Sequence, residues 1–216
     1  MASAYKPAQI ASGSPAFSTE VYFERLRELI PRLPYAAIDA IAGALFQAFE
    51  KDQTVFVFGN GGSAASASHM MCDLNKGIAS AGAKRPKVMA LTDNVPLLTA
   101  WANDGGYEQV FAEQMKGFVR RGDVAFAISA SGNSPNVILA LETARELGAL
   151  TAGIAGFQGG RMKRLCDLCA VVPSDNMQVI EDMHHAVLHS IFTVLRDKLH
   201  GAGRTALAVA AGRATP

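Results

Sequence analysis

Cysteine is scarce in this chain, with three in 216 residues. A small, odd number excludes the fully paired disulfide framework of small secreted domains. Cys166 and Cys169 form one C-x-x-C motif, but no second motif completes a zinc site. The motif runs from a predicted helix end into a predicted strand, whereas a redox motif opens a helix after a strand. We therefore expect the cysteines to be structural thiols.

Net charge and long apolar runs are also lacking. The formal net charge is +1, so no global field favours nucleic acid or a membrane surface. No apolar run reaches the roughly 18 residues that a membrane span needs. The N-terminus has no charged-then-apolar signal pattern. Because 50% of the residues are hydrophobic, we expect a globular, cytoplasmic protein with neither a membrane nor a nucleic acid partner.

Hydrophobic periodicity organises the chain into helices and strands. Residues 19–50 have helical spacing broken by two prolines, which predicts a pair of helices. From residue 54, helical stretches alternate with five apolar runs: TVFVFG, KVMALT, DVAFAIS, LTAGIAG and LCAVVP. This alternation predicts an α/β fold with a parallel sheet covered on both faces. We expect a flexible leader at 1–18, one domain at 19–200 and a flexible tail at 201–216, with the last helix spanning 176–199.

Two of these runs end in loops rich in glycine, serine and asparagine. GNGGSAAS follows the first run and SASGNSPNV follows the third. Parallel strands present their carboxyl ends to a ligand crevice, where helix N-termini favour anions. Gly61, Gly62 and Gly132 permit close approach of a ligand to the backbone. The loops therefore predict a phosphate site, and tight strand-to-helix turns without a ligand remain the alternative.

A nucleotide is a poorer fit to these loops. Ala64 stands where the dinucleotide fingerprint has its third glycine, and the chain has no P-loop motif.

Imidazoles and carboxylates recur at helical spacing in two predicted helices. His69 and Asp73 are four residues apart, and Glu181, His185 and His189 follow one another at the same interval. Such groups are costly to bury unpaired on an otherwise apolar helix. They indicate either a site or a polar stripe that faces solvent or a subunit interface.

The motifs GNGGSA, SGNSPNV and AND at 102–104 resemble the sugar isomerase (SIS) domain, and within it the phosphoheptose isomerase group. The resemblance implies a three-layer αβα sandwich with a five-stranded parallel sheet, and a homotetramer with active sites between subunits. It implies that Asn60 and Asp104 contact sugar hydroxyls. It also implies that four serines contact the substrate phosphate: Ser63, Ser129, Ser131 and Ser134.

The same resemblance assigns the acid, the base and a metal. The group has a histidine and a glutamate four apart, then a glutamine and a histidine eight apart. The glutamate acts as base and the last histidine as acid, and in some members all four hold zinc. The matching residues here are His69, Asp73, Glu181 and His189. Two histidines with two carboxylates suit zinc well, so we expect one Zn²⁺ per subunit on these four residues.

Two of the four positions depart from the group. Asp73 is one methylene shorter than glutamate, and Glu181 replaces an amide with a carboxylate. Asp73, Glu181 and His189 are therefore the candidate catalytic residues, and either carboxylate is a candidate base. The roles of His184 and His185 stay open.

The resemblance predicts an aldose–ketose isomerase of a phosphosugar. The expected reaction is sedoheptulose 7-phosphate to D-glycero-D-manno-heptose 7-phosphate through an enediol. The alternative is a non-catalytic SIS protein that binds a phosphosugar or associates with a replication initiator. Arabinose phosphate isomerases resemble the chain less, because they usually carry further C-terminal domains.

Overall fold

The fold is built around a twisted parallel sheet of five strands. A computed structural model of the protein describes residues 18–79 and 85–212. The strands follow the order β2-β1-β3-β4-β5, and all four neighbouring pairs are parallel. The strands are β1 (Thr54–Gly59), β2 (Lys87–Ala90), β3 (Val124–Ser129), β4 (Leu150–Ala155) and β5 (Leu168–Val171).

Eight α-helices within the described residues surround this sheet: α1 (Thr19–Leu29), α2 (Tyr35–Glu50), α3 (Gly62–Cys72), α4 (Val95–Asp104), α5 (Ala112–Phe118), α6 (Pro135–Glu146), α7 (Met162–Leu165) and α8 (Met177–Gly212). Short 3₁₀ turns at Ile30–Arg32 and Tyr107–Gln109 connect neighbouring helices.

Alternate residues of β1 show why the structure has three layers. Val55 and Val57 pack into one core with α2, α3 and α8. Phe56 and Phe58 pack into a second core with α5 and α6 on the other face. Every residue of β3 is buried, as expected for a central strand covered on both sides. The predicted αβα sandwich with N-terminal helices is therefore confirmed.

The edge strand β2 is less buried than the sequence pattern indicates. Its burial alternates, with Lys87 and Met89 exposed, so only one face of this edge strand is covered. The predicted helix at 107–121 is also divided, since a 3₁₀ turn precedes the shorter helix α5.

The predicted end of the last helix near 199 is wrong. Helix α8 continues to Gly212, because the segment TALAVAAG is rich in residues of high helix propensity and two earlier glycines do not interrupt it. The flexibility of residues 201–216 remains a prediction. The predicted leader lies outside the described residues except for Ser18, whose hydroxyl caps α1 by accepting from the Val21 N–H at 3.2 Å.

Helix α8 is fixed at its start and along its apolar face. Asn176 caps it, because the side-chain oxygen accepts from the Val179 N–H at 3.1 Å. Ile180 packs where a side chain on Gly156 would stand, with its Cγ2 2.4 Å from an ideal Cβ at that glycine. Val187, Leu188 and Ile191 are buried in the same core as β1. The polar stripe of α8, which consists of Glu181, His185 and His189, is therefore held at a defined angle to the sheet.

Helix α3 does not stop at Cys72. It continues as a π-helical turn over Asp73–Gly77, a form that is rare and recurs at functional sites. Phe192 of α8 packs against Gly77, where its Cζ would lie 2.6 Å from an added Cβ.

Two further sequence expectations concern cysteines and membrane spans. All three cysteines are free thiols, and Cys166 and Cys169 are half-buried. Within the described ranges, no single helix has the length and apolarity to cross a membrane. The pair Thr19–Arg32 and Tyr35–Glu50, bent by 74°, passes that test only when its halves are combined.

Tyr22 links the N-terminal helix α1 to α8. Its hydroxyl donates to the Asp182 carboxylate at 2.5 Å. Burial, the largest cause, acts together with the hydrogen bond to Asp182 and the charges of Asp182 and Glu181 to raise the pKa of Tyr22 to about 12. Because the folded pKa lies above the ordinary value, the neutral phenol contributes stability below pH 10 that is lost as the pH rises through 12.

We predict that one tyrosine ionises near pH 12 in the folded protein, measured by absorbance at about 295 nm immediately after a pH jump. The late step should disappear in Tyr22→Phe and move toward lower pH in Asp182→Asn, because the acceptor charge is gone. Tyr35→Phe is the control and should keep it. A late step that persists unchanged in Tyr22→Phe contradicts the assignment.

Candidate active site

The candidate site lies at the carboxyl ends of β1 and β3. The strand order places β2 on one side of β1 and β3 on the other. The chain leaves these two strands toward opposite faces, through α3 and α6. A crevice opens at such a switch point in open α/β sheets. Both glycine- and serine-rich loops flank it, as the sequence predicts.

An amide pair joins the two loops. Asn60 and Asn136 each donate from Nδ2 to the other's Oδ1, at 2.8 Å in both directions. Tyr107 also donates to the Asn60 Oδ1 at 3.1 Å. Because Asn60 Oδ1 already accepts two hydrogen bonds, its remaining capacity is one N–H donor. Asn60 is thus fixed in one orientation, with a donor left for a ligand.

Sequence reasoning missed Asn136 and Tyr107. Asn136 is 2% exposed, so its buried amide needs hydrogen-bond partners, which Asn60 and the Val137 N–H supply. The signal was present in SGNSPN, because an asparagine in the first turn of a helix that follows a buried strand needs a hydrogen-bond partner when it is buried.

The β1–α3 loop is tightly packed against the sheet. A Cβ on Gly59 would lie 2.5 Å from the Ile128 carbonyl oxygen and 2.8 Å from the Ser63 Cβ. Gly61 has φ +54°, which favours glycine. Ser63 is 7% exposed, so its hydroxyl lies at the base of the loop rather than on its surface.

The β3–α6 loop presents hydroxyls above the sheet. Ser129 Oγ accepts from the Gly132 N–H at 3.3 Å, and Ser131 Oγ accepts from the Asn133 N–H at 3.2 Å. Since both oxygens accept from the backbone, their own O–H groups are left to donate. Ser134 directly precedes α6 and forms no side-chain cap bond among the described residues. The loop therefore offers hydroxyl donors and an open helix N-terminus.

A second loop supports the β3–α6 loop from behind. A Cβ on Gly132, which has φ +63°, would lie 2.2 Å from the Gly159 carbonyl oxygen. The Asn133 Oδ1 accepts from the Arg161 N–H at 3.0 Å. The 156–161 segment thus fixes the serine loop in place.

Among the described residues, the Asp104 side chain forms no hydrogen bond to either loop. It ends α4, is exposed, and accepts from Asn103 Nδ2 at 2.7 Å. Its predicted contact with a sugar hydroxyl remains a prediction.

Helices α3 and α8 lie side by side, and residues at successive turns of one helix contact residues at successive turns of the other. Glu181 stands beside Gly62, with Oε1 3.2 Å from an ideal Cβ there. One turn later, the Ser66 hydroxyl is 3.1 Å from His185 Nδ1. One further turn brings His69 Nε2 to 2.9 Å from His189 Nε2. The two helices therefore run in the same direction, and their polar stripes face each other.

Three imidazoles and a carboxylate form one cluster. The rings of His69, His185 and His189 have centroids 5.0 to 5.3 Å apart. Asp73 Oδ2 lies 3.3 Å from His69 Nε2 and 3.7 Å from His189 Nε2. Burial lowers the pKa of His185, and the neighbouring imidazoles of His69 and His189 lower it further. Facing nitrogens with a nearby carboxylate can share a proton or ligate a cation.

Of the four predicted ligands, three meet in this cluster. His69, Asp73 and His189 have mutual distances of 2.9, 3.3 and 3.7 Å. Glu181 lies two turns away along α8 from His189, against the first residue of α3. The role of Glu181 as a ligand remains a prediction. The structure places one further imidazole, that of His185, in the cluster.

His184 does not share this environment. It is 1% exposed, and neither ring nitrogen has a hydrogen-bond partner in the described part of the chain. Burial lowers its pKa to about 4, against a smaller opposing effect of the Ala155 backbone. At neutral pH it is an uncharged core side chain.

Comparisons with known proteins identify the family and agree with the fold. The sequence profile of the SIS domain matches residues 21–156. A phosphoheptose isomerase from Rhodospirillum rubrum is 41% identical over 177 residues, which cover 82% of this chain and 91% of the relative. Solved phosphoheptose isomerases from Francisella tularensis and Neisseria gonorrhoeae superpose with TM-scores of 0.76 at 29% and 28% identity. Each match covers 82% of this chain and 96% of the other.

Proposed function

Because the chain belongs to the phosphoheptose isomerase family of SIS domain proteins, we propose that it is an aldose–ketose isomerase of a seven-carbon sugar phosphate. The proposed reaction converts sedoheptulose 7-phosphate into D-glycero-D-manno-heptose 7-phosphate. One observation carries the proposal: the Asn60–Asn136 pair joins the hydroxyl-rich β3–α6 loop to the β1–α3 loop. The contact between α3 and α8, with its imidazoles and carboxylates, begins at that second loop.

The substrate phosphate is proposed to bind the β3–α6 loop. Ser129 and Ser131 have O–H groups free to donate, and Ser134 stands at the N-terminus of α6. Glu181 lies against the first residue of α3, and a carboxylate there repels a phosphate from the β1–α3 loop. The two loops therefore have different roles, with Asn60 of the first loop donating to a sugar hydroxyl. The phosphate contact expected of Ser63 in the first loop stays a prediction.

Proton transfer requires a base over C1 of the ketose and an acid near the carbonyl oxygen. Asp73 already contacts two imidazoles, whereas Glu181 lies exposed beside the glycine loop. We therefore assign the base to Glu181, which removes a proton from C1, and the acid to His189, which donates from a ring nitrogen to the C2 oxygen. Asp73 holds His69 and His189 in position. The enediol then collapses to the aldose as the Glu181 carboxylic acid returns a proton to C2 and the O1 hydroxyl gives its proton to His189, which restores both groups.

A zinc ion, one per subunit, is part of the proposal. His69, Asp73 and His189 fit it, because their donor atoms lie 2.9 to 3.7 Å apart and nitrogen and oxygen donors suit Zn²⁺. When bound, such an ion polarises substrate oxygens. Glu181 is the fourth ligand that the family resemblance implies.

The alternative is a non-catalytic protein that binds a phosphosugar or associates with a replication initiator. The departures at Asp73 and Glu181 favour it, since misplacing a catalytic group by about 1 Å costs on the order of a hundredfold in rate. The cytoplasmic location expected from the sequence also stays a prediction.

A homotetramer is the proposed assembly. An apolar groove of about 340 Å³ runs between the 3₁₀ turn at Ile30–Arg32, α2 and α8, and its lining includes Ile30, Tyr35 and Val194. These three side chains are 37% to 50% exposed in the single chain. Adjacent apolar groups of this kind favour burial against another subunit.

The purified protein should turn over sedoheptulose 7-phosphate, with the aldose appearing in NMR spectra and the ketose C1 hydrogen exchanging with deuterated solvent. Unphosphorylated sedoheptulose should react far more slowly, because the phosphate grip is lost. We expect Glu181→Gln to lower kcat about 100- to 10,000-fold and to abolish exchange.

The matched control is Asp182→Asn, the same change one residue along the helix, which should keep turnover. Absent turnover with calorimetrically measured phosphosugar binding would support the non-catalytic alternative. Exchange that survives in Glu181→Gln but not in Asp73→Asn would reverse the assignment of the base.

Light scattering of the purified protein should give a mass near four chains of 22.8 kDa. Val194→Glu places a charge in the groove and should shift the mass toward smaller species, because an unpaired charge at an interface is costly. A wild-type protein that is monomeric at micromolar concentration contradicts the tetramer.

A further inference from the structure

His185 is the residue of the imidazole cluster to which neither the sequence motifs nor the resemblance gives a role. His69, His185 and His189 each offer one ring nitrogen, and these three nitrogens all lie within 4.8 Å of one another. Donors at tetrahedral zinc, with bonds of about 2.0–2.1 Å, lie about 3.3 Å from one another. The observed distances of 2.9 to 3.7 Å among His69, Asp73 and His189 bracket that value.

Ser66 fixes which nitrogen of His185 is available. The Ser66 hydroxyl donates to the Gly62 carbonyl at 3.1 Å, and its oxygen is 3.1 Å from His185 Nδ1. We infer that the Ser66 proton goes to the carbonyl, so that Nδ1 carries the ring proton and donates to Ser66. Nε2 then holds the lone pair. Hydrogen bonds of this kind set the tautomer of metal-bound histidines, and Ser66 is buried at 7% exposure.

Glu181 is held elsewhere by the pairing of α3 with α8. Along the contact, Glu181 meets Gly62, His185 meets Ser66, and His189 meets His69. His185 is thus one turn closer to His189 than Glu181 is. The Glu181 carboxylate also lies beside the first turn of α3, where the helix dipole stabilises a negative charge.

We propose that His185 is a metal ligand in this chain, so that the centre is His69, His185, His189 and Asp73, with Glu181 outside it. The inference rests on the metal of the proposed isomerase and changes its ligand set. Its consequence is that Glu181 keeps a carboxylate free for proton transfer at the substrate carbon. Ser66 is a positioning residue, because it acts on the metal through the His185 ring.

The test measures metal binding without turnover. Metal-free protein is titrated with Co²⁺, followed by its visible absorption, and then with competing Zn²⁺. We expect one ion per chain, and an affinity at least about 100-fold lower in His185→Gln. Ser66→Ala should lose about 10- to 100-fold. Glu181→Gln should bind within a few-fold of wild type, and Asp182→Asn is the control for a charge change on α8.

A second readout reports the tautomer directly. Long-range ¹H–¹⁵N spectra of the zinc-loaded protein should show the His185 proton on Nδ1 and the metal on Nε2. Circular dichroism confirms that each variant is folded, and Ser66→Ala keeps the test decisive should His185→Gln not fold.

Loss of metal in Glu181→Gln, with binding kept in His185→Gln and Ser66→Ala, overturns the inference. Wild-type protein that binds no Co²⁺ or Zn²⁺ also overturns it, while turnover of sedoheptulose 7-phosphate still decides the isomerase proposal separately. Metal binding that depends on His185 in a protein without turnover supports the inference and refutes the isomerase.

Discussion

The contact between α3 and α8 is the constraint on which the site depends. The two helices run in the same direction, so residues one turn apart on α3 meet residues one turn apart on α8. Apolar side chains of α8 enter the core beside β1, and Phe192 fits against Gly77. This packing sets the angle at which imidazoles and carboxylates face each other. A bulkier residue at Gly62 or Gly77 would separate the helices.

The contact also makes the two loops unequal. Both follow buried strands and both lead into helices, so the sequence presents them as similar anion sites. The carboxylate of Glu181 stands at the beginning of α3, while the beginning of α6 has serine hydroxyls, backbone N–H groups and the neutral amides of Asn133 and Asn136. In the proposed complex the substrate is therefore oriented by charge, with its phosphate at β3 and its carbon chain toward α3 and α8. The amide pair of Asn60 and Asn136 keeps these halves in register.

Much of the fold follows from local patterns. The apolar runs became the five strands, and the glycine and serine loops lie at their carboxyl ends because parallel strands share that edge. His69 and Asp73 are four residues apart, as are His185 and His189, so each pair was predicted to share one face of its helix. The end of α8 was missed because alanine-rich sequence reads as a weak tail as well as a helix.

The sequence did not specify which residues that are distant along the chain contact each other. Whether Glu181 or His185 meets His69 depends on how far α8 slides along α3, and no residue pattern specifies that distance. The role of Asn136 depends on a partner 76 residues away. The histidine neighbours illustrate the same point, since His184 is a buried core residue and His185 belongs to the cluster. Successive residues of an α-helix are rotated by about 100°, so His184 points into the core and His185 points toward α3.

The central claim is that one crevice holds a phosphate on the β3–α6 loop while the facing stripes of α3 and α8 reach the reacting carbons. A crystal structure of Glu181→Gln with sedoheptulose 7-phosphate tests it most directly. The phosphate should accept from Ser129, Ser131 or Ser134, with C1 and C2 between residue 181 and His189. A phosphate bound instead at the β1–α3 loop, or carbons remote from α8, would contradict the claim.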